Sequence, residues 1–416
     1  MRKELQEQES GGSKTLRIEK LVYGGDGLGR LDGQVALVPY VNRGDLVTVQ
    51  TQRVNAGLLR GGDPELLESS PGRVVPKCEY FGFGKCGGCH YQHLDYAVQV
   101  LEKKAILAET LQRQGGFTYG GEIRTLTGEP WYYRNRIQLH FGEGTLGYRR
   151  SASHEIYPVA HCEISSPVLN EVIRTLQRAV KQDPWPKFLQ SLEVFTNEEQ
   201  IQLNVVESNR PISKRFFDWC KTLLPNVADG PITYDAGGIR FRLSGGSFFQ
   251  VNRFLVEPLM HEVLGSAEGE TAVDLYSGAG LFSIPLAKRF KSVTSVERGG
   301  SAFRDLEFNR RENGADVKAF KSTAEDFLRD LRGSPDLLIA DPPRSGIGKE
   351  ATAELLRLLP SRMVIVSCDP TTLARDLRAL VPRYEVTDLT LVDLFPQTYH
   401  IETIVKLQKR EVTAAI

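Results

Sequence analysis

Thr271–Ala272–Val273–Asp274–Leu275–Tyr276–Ser277–Gly278–Ala279–Gly280 reads as an apolar strand running into a glycine loop, with a helix expected from Leu281 to about Phe290. Strand, glycine loop and helix in that order form the opening unit of a doubly wound α/β sheet. The loop does not spell GxGxxG, so a dinucleotide is not its first reading. The next strand, Ser292–Val296, ends in Glu297, whose carboxylate can accept hydrogen bonds from two ribose hydroxyls. Thr323–Ala324–Glu325–Asp326 then precedes Phe327, placing acid where an adenine amine would lie. The ordered series fits S-adenosylmethionine, with Glu297 as a cofactor contact.

Toward the C-terminus the same sheet continues. Asp336–Ala340 is a strand that stops in Asp341–Pro342–Pro343–Arg344–Ser345–Gly346, where the prolines stiffen a loop at the ligand edge. Asp341 can accept a base N–H such as N3–H of uracil. Met363–Val366 is a further buried strand, followed by Ser367–Cys368–Asp369–Pro370. Asp369 suits an N-cap and Pro370 the first helical position, with Leu373, Leu377 and Leu380 as the helix's apolar stripe. Cys368 therefore ends a strand just before a helix N-terminus, where positive potential favours a thiolate. A plain core cysteine is the competing reading. In Phe395–Lys406 a period of two puts His400 and Glu402 on one face of a last strand, antiparallel to Tyr384–Leu391.

Working outward to the N-terminus, Cys78, Cys86 and Cys89 stand among glycines, and a fourth cysteine, Cys162, lies far along the chain. Four such thiols suit tetrahedral zinc or an iron–sulfur cluster, and spacing does not choose between them. Cys220 sits alone in an apolar helical pattern and reads as packing. Tyr91 to about Gln114 and Pro167–Val180 read as helices, and Ser191–Thr196 pairs with Gln200–Val206 across Asn197–Glu199. Tyr132–His140 and Gly147–Arg150 mix aromatics with arginines, a pattern that serves unpaired bases or a solvated sheet face equally well. Met1–Ser13 reads as disordered, and Leu16 to about Val54 as short strands and glycine turns of a small barrel, with Ala56–Val74 loop-like.

The 416 residues predict two or three domains. Lysine plus arginine equals aspartate plus glutamate, at 52 each, so any basic surface is local. No apolar run reaches membrane-spanning length and the N-terminus has no secretory pattern, so a cytoplasmic enzyme is expected, with no membrane partner.

Jointly, several motifs resemble those of S-adenosylmethionine-dependent RNA uracil-C5 methyltransferases. They are Asp341–Pro342–Pro343–Arg344, Ser367–Cys368–Asp369–Pro370, His400–Ile401–Glu402–Thr403, Gly245–Asn252 and Asp274–Gly280. Tyr23–Arg30, with Val38–Pro39 and Gly44–Asp45, resembles a TRAM domain, an OB-like RNA-binding barrel. The four-cysteine pattern is most similar to the branch that methylates 23S ribosomal RNA and carries a [4Fe–4S] cluster on Cys78, Cys86, Cys89 and Cys162. The resemblance implies three regions: a barrel over 12–70, a central α+β domain over 71–243, whose helix near 91–114 packs on the catalytic domain, and a Rossmann-like domain with a seven-stranded mixed sheet over 244–416. It also implies a monomer that transfers a methyl group to C5 of uridine. Cys368 is then the nucleophile at C6 and Glu402 the base at C5; Gln250 holds cofactor or base, Phe248 stacks by the flipped nucleotide, Tyr276, Glu297 and Asp341 contact cofactor or base, and Gly278 lies against the cofactor. The alternatives are a transfer RNA substrate, an RNA cytosine-C5 enzyme, and a non-catalytic RNA-binding iron–sulfur protein. The cytosine class usually shows two cysteines near its site, whereas the cofactor half here has Cys368 alone.

Overall fold

The computed structural model describes residues 11–411. The first ten residues of the expected disordered stretch lie outside these; Gly11–Ser13 instead begin a strand. The barrel comprises β1 (Gly11–Leu21), β2 (Gly27–Leu31), β3 (Gln34–Val38), β4 (Leu46–Asn55), β5 (Leu58–Gly61) and β6 (Glu65–Glu68). The order β1-β2-β3-β5-β4 closes into a ring by β1–β4 pairing, and β6 extends it on β4. Alternation along β4 turns Val47 and Val49 inward onto Leu16, Ile18, Ala36 and Val38. The tract Ala56–Val74, expected to be loop, therefore supplies two strands. They are too short to announce themselves, and β3 and β4 define them by pairing.

Helix α1 (Tyr96–Gly115) is capped by the Asp95 carboxylate and ends at Gly116 in the left-handed region. Its Ile106, Leu107 and Leu111 share one apolar cluster with residues of the C-terminal half. Strand β7 (Arg124–Leu126) follows. A five-stranded antiparallel sheet, ordered β10-β9-β8-β11-β12, then forms from β8 (Arg136–Gly142), β9 (Thr145–Arg149), β10 (Ile156–Pro158), β11 (Leu189–Thr196) and β12 (Ile201–Ser208). Helices α2 (Pro167–Ala179) and α3 (Lys214–Leu223) share its core, in which Cys220 is fully buried. The hairpin β13 (Ile232–Ala236) and β14 (Ile239–Leu243) falls before Ser244 in sequence. Its Ile232, Phe241 and Leu243 nevertheless pack with Phe249, Leu259 and Met260 in the core of the last region.

That region holds α4 (Val256–Leu264), β15 (Gly269–Leu275), α5 (Ser283–Leu286), β16 (Phe290–Val296), α6 (Gly300–Glu312), β17 (Val317–Phe320) and α7 (Ala324–Asp330). It continues with β18 (Leu337–Ala340), α8 (Lys349–Leu358), β19 (Arg362–Ser367), α9 (Pro370–Leu380), β20 (Tyr384–Val392) and β21 (Glu402–Lys409). The sheet has eight strands, not seven, in the order β17-β16-β15-β18-β19-β21-β20-β7. The eighth is β7, which adds parallel to β20 from outside the expected domain. The five strands β15 to β19 run parallel, and β21 lies antiparallel between β19 and β20. Helix α5 is one turn long, not the helix expected to Phe290. Turn bonds close over Ala287–Arg289, and Phe290 is already paired with Gly269. Among the described residues no helix is long and apolar enough to cross a membrane.

Candidate active site

Parallel strands deliver their following loops to one edge of the sheet. Tyr276 follows β15, Glu297 follows β16, Asp341 follows β18 and Cys368 follows β19. Glu402 opens β21, whose Thr403 pairs with Ser367. The fold thus brings Asp341, Cys368 and Glu402 to the ends of neighbouring strands. Asp369 caps α9, its carboxylate accepting from the amides of Thr371 (2.8 Å) and Thr372 (3.0 Å), and Pro370 takes the first turn.

The electrostatics of this crevice differ from those expected of a helix N-terminus alone. Burial, then the charges of Glu402 and Asp341, push the Cys368 thiol up to about 12, while Arg344 pulls the other way. These influences oppose the thiolate that the helix N-terminus favours. Burial is the larger influence, and the two carboxyl groups add to it. Burial and the Asp341 charge raise Glu402 well above the carboxylate range, with Arg344 again opposing. Burial raises Asp341 to about 7. Arg344 stood in a quoted motif, but its part as the cation facing both Cys368 and Glu402 was missed. Its signal was that it follows the Asp-Pro-Pro turn directly.

On the cofactor side, Glu297 joins two loops: its carboxylate accepts from the amides of Gly278 (2.9 Å) and Gly299 (2.5 Å). Tyr276 takes a positive φ of 59° and is partly buried. Asp274 is fully buried, accepts from the Ser283 hydroxyl, and is raised to about 7 by burial despite that donor. The loop after β14 is tied down by Ser244 and Ser247, whose hydroxyls donate to Asp305 (2.6 and 2.5 Å). Gln250 is buried there, its backbone carbonyl accepting from the Asn135 side-chain amide (3.2 Å). Phe248 projects outward at 62% exposure, whereas Phe249 packs in the core.

The segment 393–401 is irregular, so His400 stands before β21 and not on it with Glu402. Pairing of Val392 with Glu402 starts the strand at Glu402. Helix α1 holds this segment. Lys103 donates to Asp393 Oδ1 (2.7 Å) and to the Phe395 carbonyl (3.1 Å), and the Gln99 and Gln397 side chains bond at 2.9 Å. The amides of His90 (2.8 Å) and Tyr91 (3.0 Å) both donate to the Gln397 carbonyl.

Those two residues continue from Cys89. Cys78, Cys86, Cys89 and Cys162 all line one cavity of about 50 Å³. All are free thiols, and burial raises Cys86 to about 12 and raises Cys89 as well, with neighbouring cysteines adding to both. Arg134 lines the same cavity with a buried Nε that has no partner. Among the described residues, no three His, Cys, Asp or Glu side chains converge closely enough to hold one metal ion.

The family model described as tRNA (uracil-5-)-methyltransferase matches residues 170–410, and the TRAM domain model matches residues 7–62. A protein named an uncharacterized RNA methyltransferase from Aquifex aeolicus is 33% identical over 95% of this chain and 98% of its own. One of the same name from Thermotoga maritima is 31% identical over 95% and 98%. Among solved structures, the Pyrococcus abyssi tRNA (uracil-54, C5)-methyltransferase with S-adenosyl-L-homocysteine superposes with a TM-score of 0.76. It is 25% identical and covers 94% of this chain and 99% of its own.

Proposed function

From the premise that this chain belongs to the tRNA (uracil-5-)-methyltransferase family and is an S-adenosylmethionine-dependent RNA methyltransferase with a TRAM domain, we propose that it methylates C5 of a uridine in RNA through Cys368 and Glu402. The observation that carries this reading is the meeting of one thiol, two raised carboxyls and Arg344 at adjacent strand ends.

Carbon 5 of uracil is a weak nucleophile. Addition of the Cys368 sulfur to C6 moves electron density onto C5 and O4, which is covalent catalysis. The thiol proton must leave the site before attack, so that Glu402 is an open carboxylate when the C5 proton is removed. S-adenosylmethionine supplies an electrophilic methyl, and Gln250, Tyr276, Gly278, Glu297 and Asp341 would hold it. Glu402 then removes the C5 proton, the C5–C6 double bond re-forms, and Cys368 departs. Asp341 also suits N3–H of the base, and the outward ring of Phe248 suits stacking beside an unstacked nucleotide.

We assign ribosomal RNA as the substrate on the four-cysteine pattern. Transfer RNA is the second reading, favoured by the likeness to a transfer RNA enzyme. Cys78, Cys86, Cys89 and Cys162, which line one cavity with the unpartnered Arg134 Nε, are the residues that would hold a negatively charged [4Fe–4S] cluster. A monomeric cytoplasmic enzyme completes the reading. The test is tritium release from ribosomal and transfer RNA transcripts labelled at C5 of uridine or of cytidine. Release from uridine alone, abolished in Cys368→Ala, is expected. Release from cytidine alone would overturn it, and iron and sulfide assays on anaerobically purified protein test the cluster.

A further inference from the structure

The barrel reaches the catalytic crevice directly. Lys20 and Arg43 pair with Glu109 and Glu102 of α1, and Leu21 is buried in the same cluster as Leu373 and Ala374 of α9. The turn after β1 therefore lies over the start of α9. There the half-buried Tyr23 brings its hydroxyl 3.5 Å from the carbonyl oxygen of Cys368. Burial works against a charged Asp369, yet the Thr371 hydroxyl, the Thr372 and Thr371 amides and the Tyr23 hydroxyl together hold it below the ordinary carboxylate value. The Tyr23 ring meets Tyr399 edge-on at 5.6 Å, and Tyr399 lies 4.4 Å from the ring of His400, two residues before Glu402. The turn presses this close because Gly25, at φ +97°, has no side chain. A Cβ there would sit 3.2 Å from that of His90.

We infer that Tyr23, supplied by the barrel, is a positioning residue for the Cys368 thiol, so that seating of the barrel sets the rate of covalent attack. This rests on the reading of Cys368 as nucleophile. The sulfur sits on a one-residue link between the end of β19 and the cap of α9, so its aim depends on that link's carbonyl and on the Asp369 side chain. The Tyr23 hydroxyl faces both from a different domain. The barrel then does more than grip RNA: it supplies part of the wall against which the nucleophile is set.

The test uses ribosomal and transfer RNA transcripts carrying 5-fluorouridine, with S-adenosylmethionine and the full chain. The Cys368 sulfur bonds to C6 and the methyl passes to C5. Fluorine cannot then leave as a proton would, and the adduct persists. Tyr23→Phe, which deletes the hydroxyl alone, is expected to slow adduct formation at saturating RNA roughly tenfold while RNA affinity by filter binding stays within about twofold. Tyr23→Ala should slow it further. An unchanged rate in Tyr23→Phe would overturn the inference, and a loss confined to RNA affinity would make Tyr23 an RNA contact instead. Wild-type protein forming no adduct, or Cys368→Ala forming one, would remove the nucleophile reading itself. Trapping by wild type, silence in Cys368→Ala and full speed in Tyr23→Phe would remove the Tyr23 assignment alone.

Discussion

Replacing Lys103 by methionine should destabilise the protein by about 3–5 kcal/mol. Lys103 and Asp393 are both fully buried, with Nζ 2.7 Å from Oδ1. At an effective dielectric near 20 their attraction is about 6 kcal/mol, offset by several kcal/mol of lost hydration for each ion. The intact pair is therefore close to neutral against an apolar pair. Breaking it is not neutral: Asp393 is left buried without its cation, and the Phe395 carbonyl loses its donor. The second partner removes the debt, so Lys103→Met with Asp393→Leu should recover to within about 1–2 kcal/mol of wild type. Urea unfolding reads the effect as a fall of about 1 M or more in midpoint for each single variant. Turnover should fall too in Lys103→Met, because Asp393 and Phe395 begin the segment that ends at Glu402. A single-variant loss below about 1 kcal/mol, or a double variant equal to the sum of the singles, would refute the reasoning.

Glu402→Gln should still form the Cys368 adduct and transfer the methyl group, then stall; a methylated protein–RNA species should accumulate on denaturing gels while turnover falls by roughly a thousandfold. Asp274, with its carboxyl raised to about 7 in the folded chain, holds a proton there that the unfolded chain releases near 3.8. Its stabilising contribution is complete below the lower value, fades as pH rises through the window, and is gone above about 7. Wild type should thus lose up to about 4 kcal/mol between pH 4 and 8 relative to Asp274→Asn in parallel denaturation curves. Gly147→Ala should unfold the β9–β10 pairing beside the cysteine cavity, because its Cβ would lie 1.9 Å from the Tyr157 carbonyl oxygen. Loss of the thermal transition would report it.

Where a local pattern carries its own physics, the sequence was readable. The apolar run Met363–Val366, the Asp369 cap and Pro370 place Cys368 at a strand end without reference to anything distant. The Asp341 turn and the Glu297 strand end were legible in the same way. What failed depended on partners. Strand β7 is three residues long, and β20 makes it a strand. His400 is off the last strand because Val392 pairs with Glu402, a register that no alternation pattern within 395–406 encodes. The upward push on the thiol comes from burial first and then from carboxyls brought by other strands, neither of which the local pattern around Cys368 shows. Tyr23 lies 345 residues from the carbonyl it faces, beyond any local signal.

The edge strand β7 also ties the enzyme's assembly to the direction of its synthesis. Arg124 bonds Asp388, 264 residues further on, and it pairs with Glu262 as well. On a ribosome adding roughly 5–20 residues per second, Arg124 emerges on the order of ten to fifty seconds before its sheet partner exists. The catalytic sheet cannot be completed from its own segment, and β7 must wait, unpaired, through the folding of the whole central region. A chain shortened to begin at Ser244 would present β20 as a bare edge, an invitation to pair with another copy. The unit that nascent-chain quality control must recognise as finished is therefore the entire polypeptide, and no one of its three regions.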